Sequence, residues 1–319
     1  MRSTGSGVVG DQSLDSPGPH PLAAPLMSTS PPLNELRYRP ADPAANLAVA
    51  TERLYTSFAS VAFDPAMPQS PVSVLGADVA ALGQPVATLS PDLVARFVVK
   101  AGTTWGGPDD IRRIVPRALE LAADHRLPVD RRLLWTKLRW AGWPAWPTYQ
   151  ALTVREFLRA EWGRLLRSPP RPAHLAHRWL RHTAEGVDDL SPFLDDWHDA
   201  LGPLTVPVHH RAATGHLVVL LVGSPLRPDH PETVRELFPT NPRAAKALTA
   251  WLNGPGTAHE LQRSAVALAD TTDSRRVSVA VERLTRFRAA VAAAASDPAD
   301  GKPAESDSAA GNTAESDSD

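Results

Sequence analysis

Histidine is the residue type whose spacing first suggests chemistry in this chain, because imidazole nitrogens bind zinc and related metals. The clearest group is His174, His177 and His182. On a helix, His174 and His177 would share one face because they are three positions apart. His182 would then lie about 80° out of line with His174, which strains a three-ligand site. No His-Glu-x-x-His pattern is present. We therefore predict no metal ligand and no cofactor, and keep a metal-dependent hydrolase only as a second alternative function.

Hydroxyl and acidic side chains between Thr103 and Asp110 suggest a second kind of site, an anion pocket at a helix start. Asp109 and Asp110, however, already bring negative charge to that helix terminus. Two adjacent acids also point in different directions on a helix and make a poor general acid/base pair. No Gly-x-Ser-x-Gly or P-loop pattern occurs, and no Gly-x-Gly-x-x-Gly follows a predicted strand. We predict no catalytic residue.

Tryptophan and arginine are concentrated in the middle of the chain. Between Arg96 and Arg181 there are 17 basic residues and 7 acidic ones. Clustered indoles can stack on bases or line a peptide groove, but they can equally seal a junction between helices. The Trp-Pro bend from Gly142 to Pro147 is predicted to be exposed. The candidate binding residues are Trp105, Trp135, Trp140, Trp143, Trp146, Arg131, Arg132 and Arg139.

One stretch of this region carries a family resemblance. The run Lys-Ala-Gly-Thr-Thr-Trp-Gly at 100–106, together with Lys-Leu-Arg-Trp-Ala at 137–141 and the Trp-Pro that follows, resembles a family of uncharacterised bacterial all-helical proteins. The resemblance extends over about residues 50–290. It implies a helical domain, and no activity or catalytic residue comes with it.

The periodicity of apolar residues predicts an all-α fold. Helix starts are marked by Asp-Pro or Ser-Pro pairs, as at Asp42 and Ser90, and apolar residues then recur every three or four positions. The apolar run at 216–223 also fits a buried strand, but we predict a helix over 208–222. About ten helices joined by short turns indicate an irregular helical bundle or a HEAT-like helical array.

The ends of the chain differ in composition from its middle. Residues 1–41 are rich in Pro, Ser and Gly, and the acidic tail 296–319 repeats Ala-Glu-Ser-Asp-Ser, so both are predicted to be disordered. Met27 is an alternative start, which would remove residues 1–26. The predicted domain is therefore 42–295, with an alternative subdivision near the Pro-rich run at 168–172.

Composition narrows the environment of the protein. The formal net charge is −2 and the chain has no cysteine. This excludes disulfides and thiolate metal sites, and a near-neutral chain has no overall field that would draw it to nucleic acid. No apolar run reaches the length of a membrane span and no signal peptide is visible. We expect a bacterial cytoplasmic protein that does not partner with a membrane.

The leading hypothesis is a non-enzymatic helical scaffold that binds another protein. Its motivating observation is a stacked-helix pattern that lacks a catalytic signature. The first alternative is a nucleic-acid-binding module that uses a basic face rich in Trp and Arg. The sequence leaves the oligomeric state open.

Overall fold

The computed structural model describes residues 43–202, 205–224, 226–269 and 271–296, and all of these fall in one compact unit. The N-terminal segment, Met27 and Asp42 lie outside the described residues, as does the acidic tail beyond Ser296. Thirteen α-helices make up the described part, and no residue there belongs to a β-strand. The all-α prediction is confirmed.

The N-terminal half of the bundle contains six of these helices. Short 3₁₀ turns at Val86–Thr88 and Trp143–Ala145 separate some of them. They are α1 (Pro43–Phe58), α2 (Gly76–Leu82), α3 (Pro91–Lys100), α4 (Pro108–Ala123), α5 (Arg131–Trp140) and α6 (Thr148–Leu166).

The C-terminal half contains the other seven helices and a third 3₁₀ turn at Pro231–Thr233. The predicted helix over 208–222 is confirmed as α9. These helices are α7 (Ala176–Thr183), α8 (Ser191–Leu201), α9 (Pro207–Gly223), α10 (Val234–Leu237), α11 (Pro242–Asn253), α12 (Pro255–Ala267) and α13 (Ser274–Ser296).

Helix starts follow from local capping chemistry. The Ser90 hydroxyl accepts a hydrogen bond from the Leu93 amide at the start of α3, and Asp130 accepts one from the Arg132 amide at the start of α5. Thr257 and Glu260 have the spacing of a capping box, which predicts a helix that starts at Thr257, but this prediction is wrong. Helix α12 begins two residues earlier, at a proline, and the Thr257 hydroxyl instead donates to the carbonyl of Trp251.

The connection at 64–89 differs from its sequence prediction. Its prolines at 65, 68 and 71 predict a loop, or a loop with one short turn, but α2 and a 3₁₀ turn form within it. Val79 and Leu82 of α2 are buried, so tertiary packing stabilises this short helix. The apolar spacing of the first helix predicts an end near Phe63, but α1 ends at Phe58.

Contacts between helices distant in sequence favour an irregular bundle over a HEAT-like array. Helix α1 packs along α6 and also touches α4, while α9 packs against α13 and α8. In a helical array each unit contacts mainly its neighbours along the chain. Here α6 also contacts α7, α8 and α9, so it runs through the centre of the molecule.

An aromatic cluster forms the core around α6. The indole of Trp162 is fully buried and lies 4.9 Å from that of Trp179 and 5.6 Å from that of Trp197, measured between ring centroids. Its Nε1–H donates to the carbonyl of Phe193 at 2.8 Å. These contacts join α6, α7 and α8 and hold the side chains at one end of α6 in place.

Candidate functional site: an arginine-lined pocket

The 100–106 stretch, which carries the family resemblance, has a structural role in this fold. Gly102 and Gly106 adopt left-handed backbone conformations, with φ of 72° and 69°. The indole of Trp140 covers Gly102 so closely that a Cβ there would lie 2.7 Å from it. Trp105 is buried edge-on against Phe97. These residues form a tight turn between α3 and α4.

The helix start beside this turn is already satisfied by the chain itself. The Asp110 carboxylate accepts a hydrogen bond from the Gly107 amide at 2.8 Å. Burial raises the pKa of Asp110 above its ordinary value, and the hydrogen bond from Gly107 opposes that rise. An acidic side chain therefore occupies the position that an external anion would take.

The five candidate tryptophans do not form a common surface. Trp105, Trp135 and Trp143 are buried, and Trp146 is half-buried against Phe58. Of the five, only Trp140 is exposed, with 46% of its surface accessible to solvent.

The prediction of an exposed Trp-Pro bend is wrong for Trp143. Gly142 turns the chain with φ of 71°, and the indole of Trp143 then donates to the carbonyl of Gly186 at 2.7 Å. Its ring packs near that of Trp135. Trp143 is thus packed against the segment that follows α7, while Pro144, Ala145 and Pro147 of the bend are exposed as predicted.

Ion pairs engage the three candidate arginines. Arg132 binds Glu185 at 2.7 Å, and Arg139 binds Asp188 at 2.5 Å. Arg131 pairs with Glu161, which is only 4% exposed. Of the three, only Arg131 also lines a cavity.

That cavity, which we call the α4–α7 pocket, is about 240 Å³ in volume. It lies between the end of α4, the start of α5, the second half of α6, and α7 with the segment before it. Its lining combines three arginines, three histidines, one glutamate and an apolar wall. The lining residues are Ala122, His125, Leu127, Val129, Arg131, Glu161, Arg164, Leu165, Ser168, Ala173, His174, Leu175, Arg178, Trp179 and His182.

Positive charge dominates the pocket because its only carboxylate is already bound. Glu161 accepts hydrogen bonds from Arg131 and from the Trp179 indole, the latter at 3.0 Å. Arg164 and Arg178 are anchored differently. Each donates one hydrogen bond to a backbone carbonyl, Arg164 to Ala123 at 2.7 Å and Arg178 to Pro172 at 2.9 Å.

Arg164 lines the pocket, but its Nε–H does not face the open space. That atom is buried and has no hydrogen-bond partner among the described residues. A buried donor that lacks a partner costs free energy, and the donors that Arg164 can offer to an entering group are its terminal N–H groups.

The pocket histidines are uncharged at neutral pH. The rings of His125 and His174 lie 4.0 Å apart between centroids. Burial, followed by the neighbouring ring and the arginines, lowers the pKa of His125, and burial with the arginines lowers that of His174. Burial likewise lowers the pKa of His182. Each imidazole therefore offers one N–H donor and one acceptor nitrogen.

Most residues of the pocket could not be predicted as site residues from the sequence, because they come from four separate segments of the chain. His174 and His182 were noticed as metal candidates, and Arg131 as part of a basic face. The residues missed as site residues were His125, Glu161, Arg164, Arg178 and Trp179. No short pattern links them, although the excess of arginine between 96 and 181 was a general signal. Within the described residues, no group of three His, Asp or Glu side chains could hold a metal ion.

A serine–histidine contact elsewhere resembles a catalytic pair but is closed to substrates. The Ser264 hydroxyl lies 3.0 Å from Nε2 of His210, between α9 and α12. Both residues are buried, and the hydroxyl also donates to the carbonyl of Glu260 at 2.7 Å. Its proton is thus bound to the backbone, and the contact joins two helices.

Comparison with known proteins leaves the α4–α7 pocket as the guide to function. No protein-family model, curated protein or solved structure matches the chain. The resemblance in the 100–106 stretch therefore stays a prediction. In the part of the chain that the structure covers, no helix has both the length and the apolar character needed to cross a membrane.

A buried histidine beside the pocket predicts acid sensitivity. His177 is 8% exposed, and its Nδ1 has no partner among the described residues. Burial, followed by the charge of Arg178 and the neighbouring His216, lowers its pKa from 6.5 to about 4. The unfolded chain gains this proton below pH 6.5 but the folded protein does not until about pH 4. Stability therefore falls as the pH drops through that window.

The measurement is urea unfolding at pH 7.5 and pH 4.5. We expect His177→Leu to lose less stability between these two pH values than the parent protein, by roughly 2 kcal/mol. His259→Gln, which changes an exposed histidine, is the matched control and should follow the parent. Parallel curves for parent and His177→Leu would contradict the assignment.

Proposed function

We propose that this protein is a non-enzymatic helical binding protein whose α4–α7 pocket receives an acidic group presented by a partner protein. The observation that carries the proposal is the convergence of Arg131, Arg164 and Arg178 around a cavity whose one carboxylate is already paired. This proposal keeps the protein-binding function predicted from the sequence. It assigns the binding site to the pocket rather than to the Trp-rich stretch.

The size of the pocket supports a group rather than a whole ligand. Sites for drug-sized molecules usually measure about 300–1,000 Å³. A cavity of about 240 Å³ is smaller and suits a side chain or a comparable head group. Exposed His125 and Arg178 lie among its lining residues, so a partner could reach it from solvent.

The two alternatives have less support. Nucleic-acid binding needs accessible aromatic platforms beside free cations, but four of the five candidate indoles are buried or half-buried and Arg131, Arg132 and Arg139 are ion-paired. A metal-dependent hydrolase needs a ligand set that the described residues do not provide.

Co-purification from the native host tests the proposed function. Arg178 and Arg181 lie three positions apart on α7 and are both exposed, but only Arg178 lines the pocket. Arg178→Glu should lower the recovery of partner proteins about tenfold, since it places a negative charge where an acidic group would bind. Arg181→Glu is the matched control and should recover them like the parent. Equal recovery with both variants would refute the pocket as the binding site.

A further inference from the structure

We infer that the α4–α7 pocket is specific for a doubly charged phosphoryl group rather than for a carboxylate. This inference rests on the proposed function and names the chemistry of the group that the pocket receives. Two sources share that chemistry, a phosphorylated side chain of a partner and free phosphate, and we favour the side chain.

The charge of the pocket matches a dianion. Arg131, Arg164 and Arg178 bring three positive charges, and Glu161 removes one. The histidines add none at neutral pH. A phosphate monoester carries a charge of about −1.5 to −2 at pH 7, whereas a carboxylate carries one negative charge. A carboxylate would therefore leave a cation in the pocket unbalanced.

The arrangement of donors also favours a phosphoryl group. The three arginines belong to α5, α6 and α7 and so approach the cavity from three helices. Each uses one nitrogen in the ion pair or backbone hydrogen bond that anchors it. The remaining terminal N–H groups can serve several acceptor oxygens. A phosphoryl group offers three such oxygens, and arginine clusters are a recurring means of binding it.

The neutral histidines complete the match. His125 and His174 lie together at the pocket and each offers a donor and an acceptor nitrogen. A phosphoryl oxygen can accept from the donor. Leu127 and Leu175 provide an apolar wall beside which the carbon stem of a phosphorylated side chain can pack.

The stem is the reason to favour a side chain over the free ion. Leu127, Val129, Leu165 and Leu175 give the cavity apolar surface that inorganic phosphate alone would not cover. A phosphorylated residue brings a short carbon segment together with the dianion, so it suits both parts of the lining.

Isothermal titration calorimetry with the full-length protein tests the inference. The probes are N-acetyl-O-phosphoserine amide, inorganic phosphate, and acetate as the carboxylate. We expect the phosphoserine amide to bind at least about tenfold more tightly than acetate, which corresponds to about one additional charge-assisted hydrogen bond. Arg178→Glu should weaken its binding about tenfold or more, and Arg181→Glu should leave it unchanged.

A second variant distinguishes a loss of binding from a loss of folding. Arg178→Gln removes the charge without reversing it, and both Arg178 variants should retain the parent's urea midpoint. Equal affinity for acetate and the phosphoserine amide would overturn the phosphoryl specificity while leaving the acidic-group pocket intact. Binding of inorganic phosphate but not of the phosphoserine amide would overturn the assignment to a side chain. No binding of either phosphate probe would overturn the inference, and the co-purification experiment would still decide the proposed function separately.

Discussion

Replacing Trp162 with alanine is expected to lower the free energy of unfolding by about 4 kcal/mol, the cost typical of deleting a large aromatic side chain from a packed core. The indole is completely buried and contacts Trp179, Trp197 and Phe193. The hydrogen bond that its Nε1–H donates to the carbonyl of Phe193 would also be lost. Because these contacts join α6, α7 and α8, a cavity there weakens the centre of the bundle.

Urea unfolding at neutral pH measures this loss. Trp140→Ala is the matched control, since that indole is 46% exposed. It should cost no more than about 1 kcal/mol, as is usual for a surface substitution that leaves some packing intact. Equal destabilisation by both variants would mean that the aromatic cluster is not the central core.

Replacing Glu161 with alanine is expected to lower the free energy of unfolding by about 3 kcal/mol. The buried carboxylate holds the Arg131 guanidinium and accepts the hydrogen bond of the Trp179 indole. Removing one partner of a buried ion pair leaves the other charge without compensation, which is strongly destabilising. Arg131 keeps some solvent contact, so we expect the lower end of the usual range.

Glu156 provides the control for this prediction within the same helix. Its ion pair with Arg53 joins oxygen and nitrogen atoms at 3.4 Å and is far more exposed. Glu156→Ala should therefore cost less than about 1 kcal/mol in the same urea experiment. Similar costs for Glu156→Ala and Glu161→Ala would show that the Arg131–Glu161 pair does not stabilise the fold.

The fold could be predicted because helix signals are local. Ser90 caps the helix that it was expected to start, and the apolar run near 216–223 is helical as predicted. Predictions failed where tertiary contacts decided the outcome. Helix α2 forms in an expected loop because Val79 and Leu82 find a place in the core.

The candidate site could be predicted only in part, because the type of a residue does not determine whether its side chain is buried or exposed. A dense group of tryptophans indicated either a binding surface or packing, and Trp135 and Trp143 pack. The pocket, in contrast, joins residues as distant in sequence as His125 and Arg178. Its parts meet only when α4 to α7 assemble, so no local pattern could reveal it.

The most direct test of the α4–α7 pocket is a titration of the protein with inorganic phosphate, followed by NMR of its tryptophan indole N–H signals. The chain has nine tryptophans, and Trp179 is the one whose side chain lines the pocket. Its N–H is bound to Glu161, so an anion beside Arg131 should shift this signal. We predict a saturable shift of the Trp179 signal, with those of Trp140 and Trp146 unchanged. A shift confined to Trp140 and Trp146, or no shift at all, would contradict the binding of a phosphoryl group in this pocket.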